Sequence, residues 1–425
     1  MNRNRKKVWS WAFYDWANSA FSTTVMAGFF PIFFEKYWSN PDDVIQSTYQ
    51  LGWANSIASI LIAAISPFLG AVADRGSAKK KFLFFFAYLG ILMTGGLWMV
   101  DQGEWQTAIL FYVIASVGFL GGNIFYDSLL PSIATNEDVD YVSSLGFAVG
   151  YIGGGLLFLV NVLMYQYPEW FGIADAPTAI KLSFLTVAVW WAIFTVPILL
   201  FVPEPENENS VPLLLALKAG AKQLKETFNH IIEMRVIGMF LLAYWFYIDG
   251  VDTIIRMAVK MGSSLGFEAG DLIAALLMVQ FIAFPAALAY NRFAQKIGTK
   301  NAVFVAIGGY AGITFLAYFM NDRLHFFALA ALIGLFQGGI QALSRSLYAR
   351  LIPAGKEGEF FGFYNMLGKF AAVIGPVLMG SVTLVTGSVR FGILSILILF
   401  ILGAILLSKV DFETGQKLAA DYGKN

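Results

Sequence analysis

Apolar stretches close to the ~20 residues that a helix needs to cross a bilayer recur along this 425-residue chain and limit what it can fold into. Twelve can be marked, at approximately 8–33, 48–73, 82–100, 105–130, 144–165, 180–202, 236–259, 267–290, 301–320, 325–349, 360–386 and 388–408. Hydrocarbon offers the backbone no hydrogen-bond partner, so segments of this kind cross it as helices. Only 13% of residues are charged, against about 25% in soluble domains. That excludes an aqueous globular domain, a disordered chain and a basic nucleic-acid binder. The fold class expected is an all-α polytopic membrane protein with twelve transmembrane helices in two pseudo-symmetric six-helix halves.

The first run follows Arg3, Arg5, Lys6 and Lys7. It exceeds a signal-peptide core of about 7–15 residues and carries Asp15 and Asn18, which marks it as a retained helix. Basic residues favour the cytoplasmic ends of spans. With the N-terminus inside, 21 of the 28 Lys and Arg fall on the cytoplasmic side, six opposite, and Lys369 within a span. Both termini are therefore expected in the cytoplasm. The short connections favour a bacterial inner membrane.

The longest connection, 203–235, opens with Pro203-Glu204-Pro205-Glu206. In it Leu217, Ala221, Leu224 and Phe228 share a helical face away from Lys218, Lys222 and Lys225, as in a helix lying on anionic lipid or a solvated linker helix. It separates a half at 1–202 from one at 236–425, which ends in a short tail. Three patterns recur in the same order in both. Pro67 before Arg75 and Lys79 is echoed by Pro285 before Arg292 and Lys296. Gly121-Gly122 before Asp127 is echoed by Gly338-Gly339 before Arg345, and Phe13-Tyr14-Asp15 by Phe246-Tyr247-Ile248-Asp249. Such echoes fit a duplicated transporter.

Gly70-Ala71-Val72-Ala73-Asp74-Arg75 followed by Lys79-Lys80-Lys81 resembles the major facilitator signature loop. It departs where a second Gly belongs, since Gly76 comes one residue early, and Asn291 replaces the acid in the second half. Tyr14-Asp15-Trp16-Ala17-Asn18-Ser19-Ala20-Phe21 and Phe125-Tyr126-Asp127-Ser128-Leu129-Leu130-Pro131 are similar to the branch containing autophagy-related vacuolar amino-acid effluxers and their bacterial relatives. So are Gln341-Ala342-Leu343-Ser344-Arg345-Ser346 and Phe361-Gly362-Phe363-Tyr364-Asn365. The resemblance implies the major facilitator fold and transport by alternating access.

An ionisable group at mid-membrane costs about 2.5–3.5 kcal/mol on insertion scales, so those present are the candidates for function. Asp15, Asn18, Ser19 and Ser22 form one polar face on the first span, and Asp249, Asp252 and Arg256 repeat that spacing on the seventh. Both faces should line an aqueous cavity, unless they form hydrogen-bond networks between helices. Lys369, with Asn365 one turn earlier, sits near mid-span, where it could receive a substrate carboxylate or neutralise Asp15 or Asp249. Asp127 and Arg345 end the fourth and tenth spans and could pair across the halves as an exposed cytoplasmic latch, beside the signature residues Asp74 and Arg75. Gln337 and Gln341, one turn apart, and Gln280, Asn55 and Ser59 could read a substrate or bind helices together. Gly146, Gly150 and Gly154 read as close packing, Trp9, Trp38, Trp105 and Trp170 as an interfacial belt.

No cysteine, histidine cluster or Walker-A loop is present, so an intramembrane enzyme, a bound metal and ATP-driven transport lack their residues. The function expected is secondary active transport of a small polar or zwitterionic, amino-acid-like solute, with protons coupled through Asp15, Asp249 or Asp252. The alternatives are efflux of an amphiphilic drug or lipid and a transport-inactive sensor or scaffold. The partners expected are that solute, membrane lipids and protons, with no nucleic acid and no cofactor, for a chain acting as a monomer.

Overall fold

A computed structural model describes residues 3–204, 215, 234–264 and 266–422. The amphipathic stretch expected around Leu217–Phe228 lies outside the described residues. Helices follow one another as α1 (Arg3–Ala20), α2 (Val44–Gly76), α3 (Lys79–Gly96), α4 (Trp105–Ser128), α5 (Val139–Gln166) and α6 (Ala176–Phe201). The second half adds α7 (Arg235–Ser264), α8 (Ala269–Ile297), α9 (Thr299–Ala317), α10 (Arg323–Ala349) and α11 (Glu357–Thr386). It closes with α12 (Val389–Ser395) and α13 (Leu397–Ser408), which make one span, and α14 (Phe412–Asp421).

Eleven spans among the described residues are long and apolar enough to cross a bilayer. The first span completes the expected twelve and is less apolar because it carries the polar face of Asp15. It runs past its expected ends at 8 and 33. After α1 the rod continues through wider π-helical turns at Phe21–Phe29, an α-helical turn at Phe30–Phe33 and π-helical turns at Phe34–Trp38. Hydropathy marks only the part that dissolves in lipid, whereas the helix carries Lys6, Lys7, Glu35 and Lys36 beyond it. Pro31, which has no N–H to donate, lies among these irregular turns.

Buried apolar side chains form two cores, one built from Val8 to Val202 together with Ile273, the other from Met234 to Val410. Trp38 belongs to the first core and not to an interfacial belt. It is fully buried, stacks on Phe184 at 5.8 Å and donates its indole N–H to the Val100 carbonyl. Trp9 and Trp170 are exposed as expected. The glycine ladder of α5 packs against α1: a Cβ at Gly150 would lie 2.8 Å from Ser19 Oγ, and one at Gly154 would lie 2.8 Å from Thr23 Oγ1.

The start of α1 and the last helix lie on one face of the bundle, here called the terminal face. Lys6 covers the Phe201 ring at the end of α6, and Lys80 donates to the Val202 carbonyl. Gly415 in α14 packs on Leu351 and Val236. On this face the halves press together where α2 meets α11. A Cβ at Gly70 would fall 2.0 Å from the Gly358 carbonyl oxygen, and one at Gly362 would fall 2.6 Å from the Ser66 carbonyl oxygen. Ser66 Oγ donates to the Gly362 carbonyl at 3.0 Å.

No side chain fits at Gly70 while that contact stands. We expect Gly70→Val to disfavour the arrangement closed on the terminal face without unfolding either half. Because the native chain has no cysteine, a single probe at Gln341→Cys reads this directly. Its labelling by a membrane-impermeant maleimide from the terminal side should rise several-fold in the Gly70→Val background, and equal labelling would refute the role of this contact.

Candidate functional site

A cavity of about 400 Å³ lies between the halves. Its polar wall comes from the first span: Asp15, Asn18, Ser19 and Ser22 all face it, as their i, i+3, i+4, i+7 spacing predicts. In the π-helical turns the stripe continues with Thr23 and Ala27. Asn123 of α4 joins it, accepting a 2.6 Å hydrogen bond from Asn18 Nδ2. The facing half contributes Gln280 of α8 and Gln337 and Gln341 of α10, and Tyr151 of α5 donates to Gln341 Oε1 at 2.6 Å. The rest of the wall is apolar, including Phe119, Phe147, Leu276 and Ile333. Asp15 is the one carboxylate on this wall, which carries no Lys, Arg or His among the described residues.

Below the cavity, Asp127 and Arg345 form the expected pair, with Arg345 NH1 2.9 Å from Asp127 Oδ1. One feature differs from expectation: the latch is buried, not exposed, with Asp127 only 7% and Arg345 only 3% exposed. A buried guanidinium must satisfy its donors, and Arg345 does so entirely on the other half. Nε donates to Ser143 Oγ and NH2 to the Ser143 carbonyl, each at 3.0 Å. The rings of Phe147, Trp11 and Tyr126 surround the guanidinium at 4.2, 4.9 and 5.3 Å. Gly146 leaves the space for this packing, since a Cβ there would come 2.7 Å from both Trp11 and Tyr126 Oη. Asp127 Oδ2 accepts from Asn365 Nδ2 at 3.0 Å. Asn365 thus belongs to the latch and not to the cavity wall.

Asp15 belongs to both layers. It faces the cavity, accepts from Tyr126 Oη at 3.0 Å and lies 4.0 Å from Arg345 NH1.

Two further clusters tie the halves on the terminal face. Asp74, the acid of the signature loop, accepts the backbone N–H groups of Gly358 and Glu359 at 2.9 and 2.8 Å. It thereby caps the N-terminus of α11, where orphan N–H groups and the helix dipole favour an anion. Lys79 bridges Asp74 at 2.9 Å and Glu357 at 2.7 Å. Arg75 follows in the last turn of α2, beside Ser77, whose φ of 45° is the left-handed conformation that a glycine would take without strain. The second cluster gathers on Asp140, in the first turn of α5. Asp140 accepts from Thr299 Oγ1 at 2.6 Å, from Ser346 Oγ, and from Arg350 NH1 at 2.8 Å. Lys79 and Thr299 begin the third helix of each half, and Glu357 and Asp140, 217 residues apart, lie in the first turn of the fifth. The Lys79–Glu357 and Thr299–Asp140 contacts are therefore the same helix pairing made once from each half, while the remaining partners of the two clusters differ.

The polar face expected on the seventh span divides differently. Asp249 is fully buried and accepts the Gly375 N–H at 3.0 Å and Thr253 Oγ1 at 3.2 Å, beside Pro376 of α11. It anchors the interior of α11 next to its proline and does not line the cavity. Asp252, Arg256 and Lys369 lie within electrostatic reach of one another, and Asp127 is within the same reach of Lys369. None of the three is on the cavity wall. Tyr126, Tyr151, Ser143 and Asp140 were not among the candidates, because nothing in their spacing separates them from core or interface residues. Asn55 proves to bind helices together, accepting from Tyr112 Oη at 2.8 Å.

Two bundled six-helix halves around a central polar cavity, latched on one face, define a transporter of the major facilitator fold. The solved human organic anion transporter MFSD10 (TETRAN) shares it, with a TM-score of 0.72 and 13% identity over 96% of this chain and all of that one. The family described as vacuole effluxer Atg22 like matches residues 3–50 and 44–420, and this chain belongs to that family. The MFS-type transporter YxiO of Bacillus subtilis is 37% identical over 421 residues, covering 99% of this chain and 98% of that protein. Autophagy-related protein 22 of Yarrowia lipolytica is 22% identical over 456 residues, covering 86% of this chain and 76% of that protein. The chain is a membrane transporter and not an enzyme.

The latch makes a quantitative prediction. Neutralising Arg345 leaves Asp127 buried without its hydrogen-bonded cation, a loss of about 3–5 kcal/mol, whereas neutralising Asp127 leaves Arg345 the Asp15 carboxylate at 4.0 Å and costs less. Arg345→Gln should lower the thermal stability of the purified protein more than the double variant with Asp127→Asn does. A double variant as unstable as the sum of the two singles would show that the pair is not coupled.

Proposed function

We propose that this chain is a secondary active transporter that carries a small polar organic solute, of amino-acid size, by alternating access with coupling to protons. The observation that carries the reading is the double position of Asp15. Its carboxylate faces the cavity and also lies against the guanidinium that holds the halves together. Protonation or solute binding at Asp15 removes or screens a charge that Arg345 shares with Asp127, and this couples cavity occupancy to the latch. The exchange is chemically balanced: a proton passes from water to the carboxylate on one side and returns to water on the other. The amides of Asn18, Gln337 and Gln341 supply donors and acceptors that orient a polar solute.

In this reading the terminal face is cytoplasmic, as the distribution of Lys and Arg favours. The Asp74, Asp127 and Asp140 clusters are then gates that hold the cytoplasmic side shut. A monomer in a bacterial inner membrane completes the proposal.

Purified protein in liposomes tests it. Uptake of a panel of labelled amino acids and amines should respond to an imposed pH gradient. Asp15→Asn should abolish that response, cutting gradient-driven flux about tenfold or more while leaving the protein folded. Saturable flux indifferent to the gradient would remove proton coupling from the proposal, and no flux for any solute would overturn transport.

A further inference from the structure

Asp15 and Arg345 together restrict the charge of the molecule that the cavity accepts, an inference that rests on the transport reading above. Among the described residues, the wall carries one carboxylate and no Lys or Arg. The nearest cation, Arg345, is committed beneath it: Nε and NH2 donate to Ser143, and NH1 to Asp127. Lys369, the residue that a substrate carboxylate would need opposite Asp15, is absent from the wall and lies within electrostatic reach of Asp127, Asp252 and Arg256.

Asp15 itself is under-satisfied. A carboxylate offers about four lone-pair sites, and Asp15 accepts one hydrogen bond, from Tyr126. The charged and titratable groups bearing on it are Arg345 of α10, Asp127 and Tyr126 of α4, Tyr151 of α5 and its neighbour Tyr14. Arg345 is hydrogen-bonded to Asp127, and its 4.0 Å separation from Asp15 is too long for a hydrogen bond. Of the two carboxylates beside Arg345, Asp127 takes its hydrogen bond, and the one left without a hydrogen-bonded cation is Asp15, which faces the cavity. The apolar part of the wall includes Phe119, Leu276, Phe326 and Ile333, a surface against which an apolar body can lie.

We propose that the solute is an amphiphilic amine, cationic at one end and apolar at the other, without a compensating carboxylate. Its ammonium group replaces a proton on Asp15, and its apolar body lies against the phenylalanine-lined wall. Amine and proton occupy the same carboxylate in turn: as the ammonium binds, the proton on Asp15 leaves to water, which makes the cycle an exchange of amine for proton. A zwitterion of the same shape brings a carboxylate that no wall cation receives, close to one that is already ionised.

Phenethylamine, phenylalanine and 3-phenylpropionate share a benzyl body and differ in charge. Equilibrium binding of labelled phenethylamine to the purified full-length protein is expected to saturate. Phenylalanine and 3-phenylpropionate should compete roughly tenfold or more weakly, the loss expected when a charge-assisted contact is removed or opposed. Affinity should tighten as pH rises and protons leave Asp15. Asp15→Asn should lose both the affinity and its pH dependence, and Asp15→Glu should retain them.

Phenylalanine binding at least as tightly as phenethylamine, no saturable phenethylamine binding, or pH-independent binding would each overturn the inference on the native chain, whether or not Asp15→Asn folds. Asp15→Asn that is folded and binds phenethylamine normally would overturn it too. Flux separates this failure from that of the broader reading. Gradient-driven phenylalanine uptake without Asp15-dependent amine binding sinks the amine and keeps the transporter. Asp15-dependent amine binding with no flux of any solute does the reverse.

Discussion

The guanidinium of Arg345 is the group on which the arrangement of the two halves depends. A buried cation in a bundle of this kind is stable only while its donors and its charge are matched. The side-chain partners of Arg345, the Asp127 carboxylate, Ser143 and the rings of Trp11, Tyr126 and Phe147, lie in the N-terminal half. The C-terminal half therefore reaches a satisfied state by docking against the N-terminal one. The Gly70–Gly358 approach and the Asp74 and Asp140 clusters act at the margins of the same face and fix the angle at which the halves meet.

The structure separates polar groups that hold helices from polar groups that meet a solute. Asp249, Asn55 and Asn365 end on backbone or side-chain partners away from the cavity wall. Asp15, Gln337 and Gln341 keep part of their hydrogen-bonding capacity toward a cavity. Both kinds carry the same desolvation penalty in a membrane helix, so residue type alone does not distinguish them.

This explains which parts could be read from the amino acids. Spans are legible because the bilayer imposes a length, and the Asp15–Asn18–Ser19–Ser22 stripe because an α-helix imposes a period. The partnership of Asp127 with Arg345 is legible as well, since duplication places them at nearly matching points in the two halves. The burial of that pair was not, because it depends on Gly146 and on three aromatic rings brought from α1, α4 and α5. Asp249 repeats the spacing of the first span, yet its partner is a main-chain N–H beside Pro376, a donor that no side-chain pattern announces. Asp140 lies just outside an apolar run, where an acid ordinarily passes for a solvated helix start.

The two halves echo each other with an offset of 217 residues, which pairs Asp127 with Ser344 and Ser128 with Arg345. At the latch one half carries Asp-Ser and the other Ser-Arg, so the repeat has diverged into complementary pieces. Two N-terminal halves brought together would oppose two carboxylates, and two C-terminal halves would oppose two guanidinium groups. Each half thus carries the charge its counterpart lacks, a complementarity of the kind by which unlike subunits select each other.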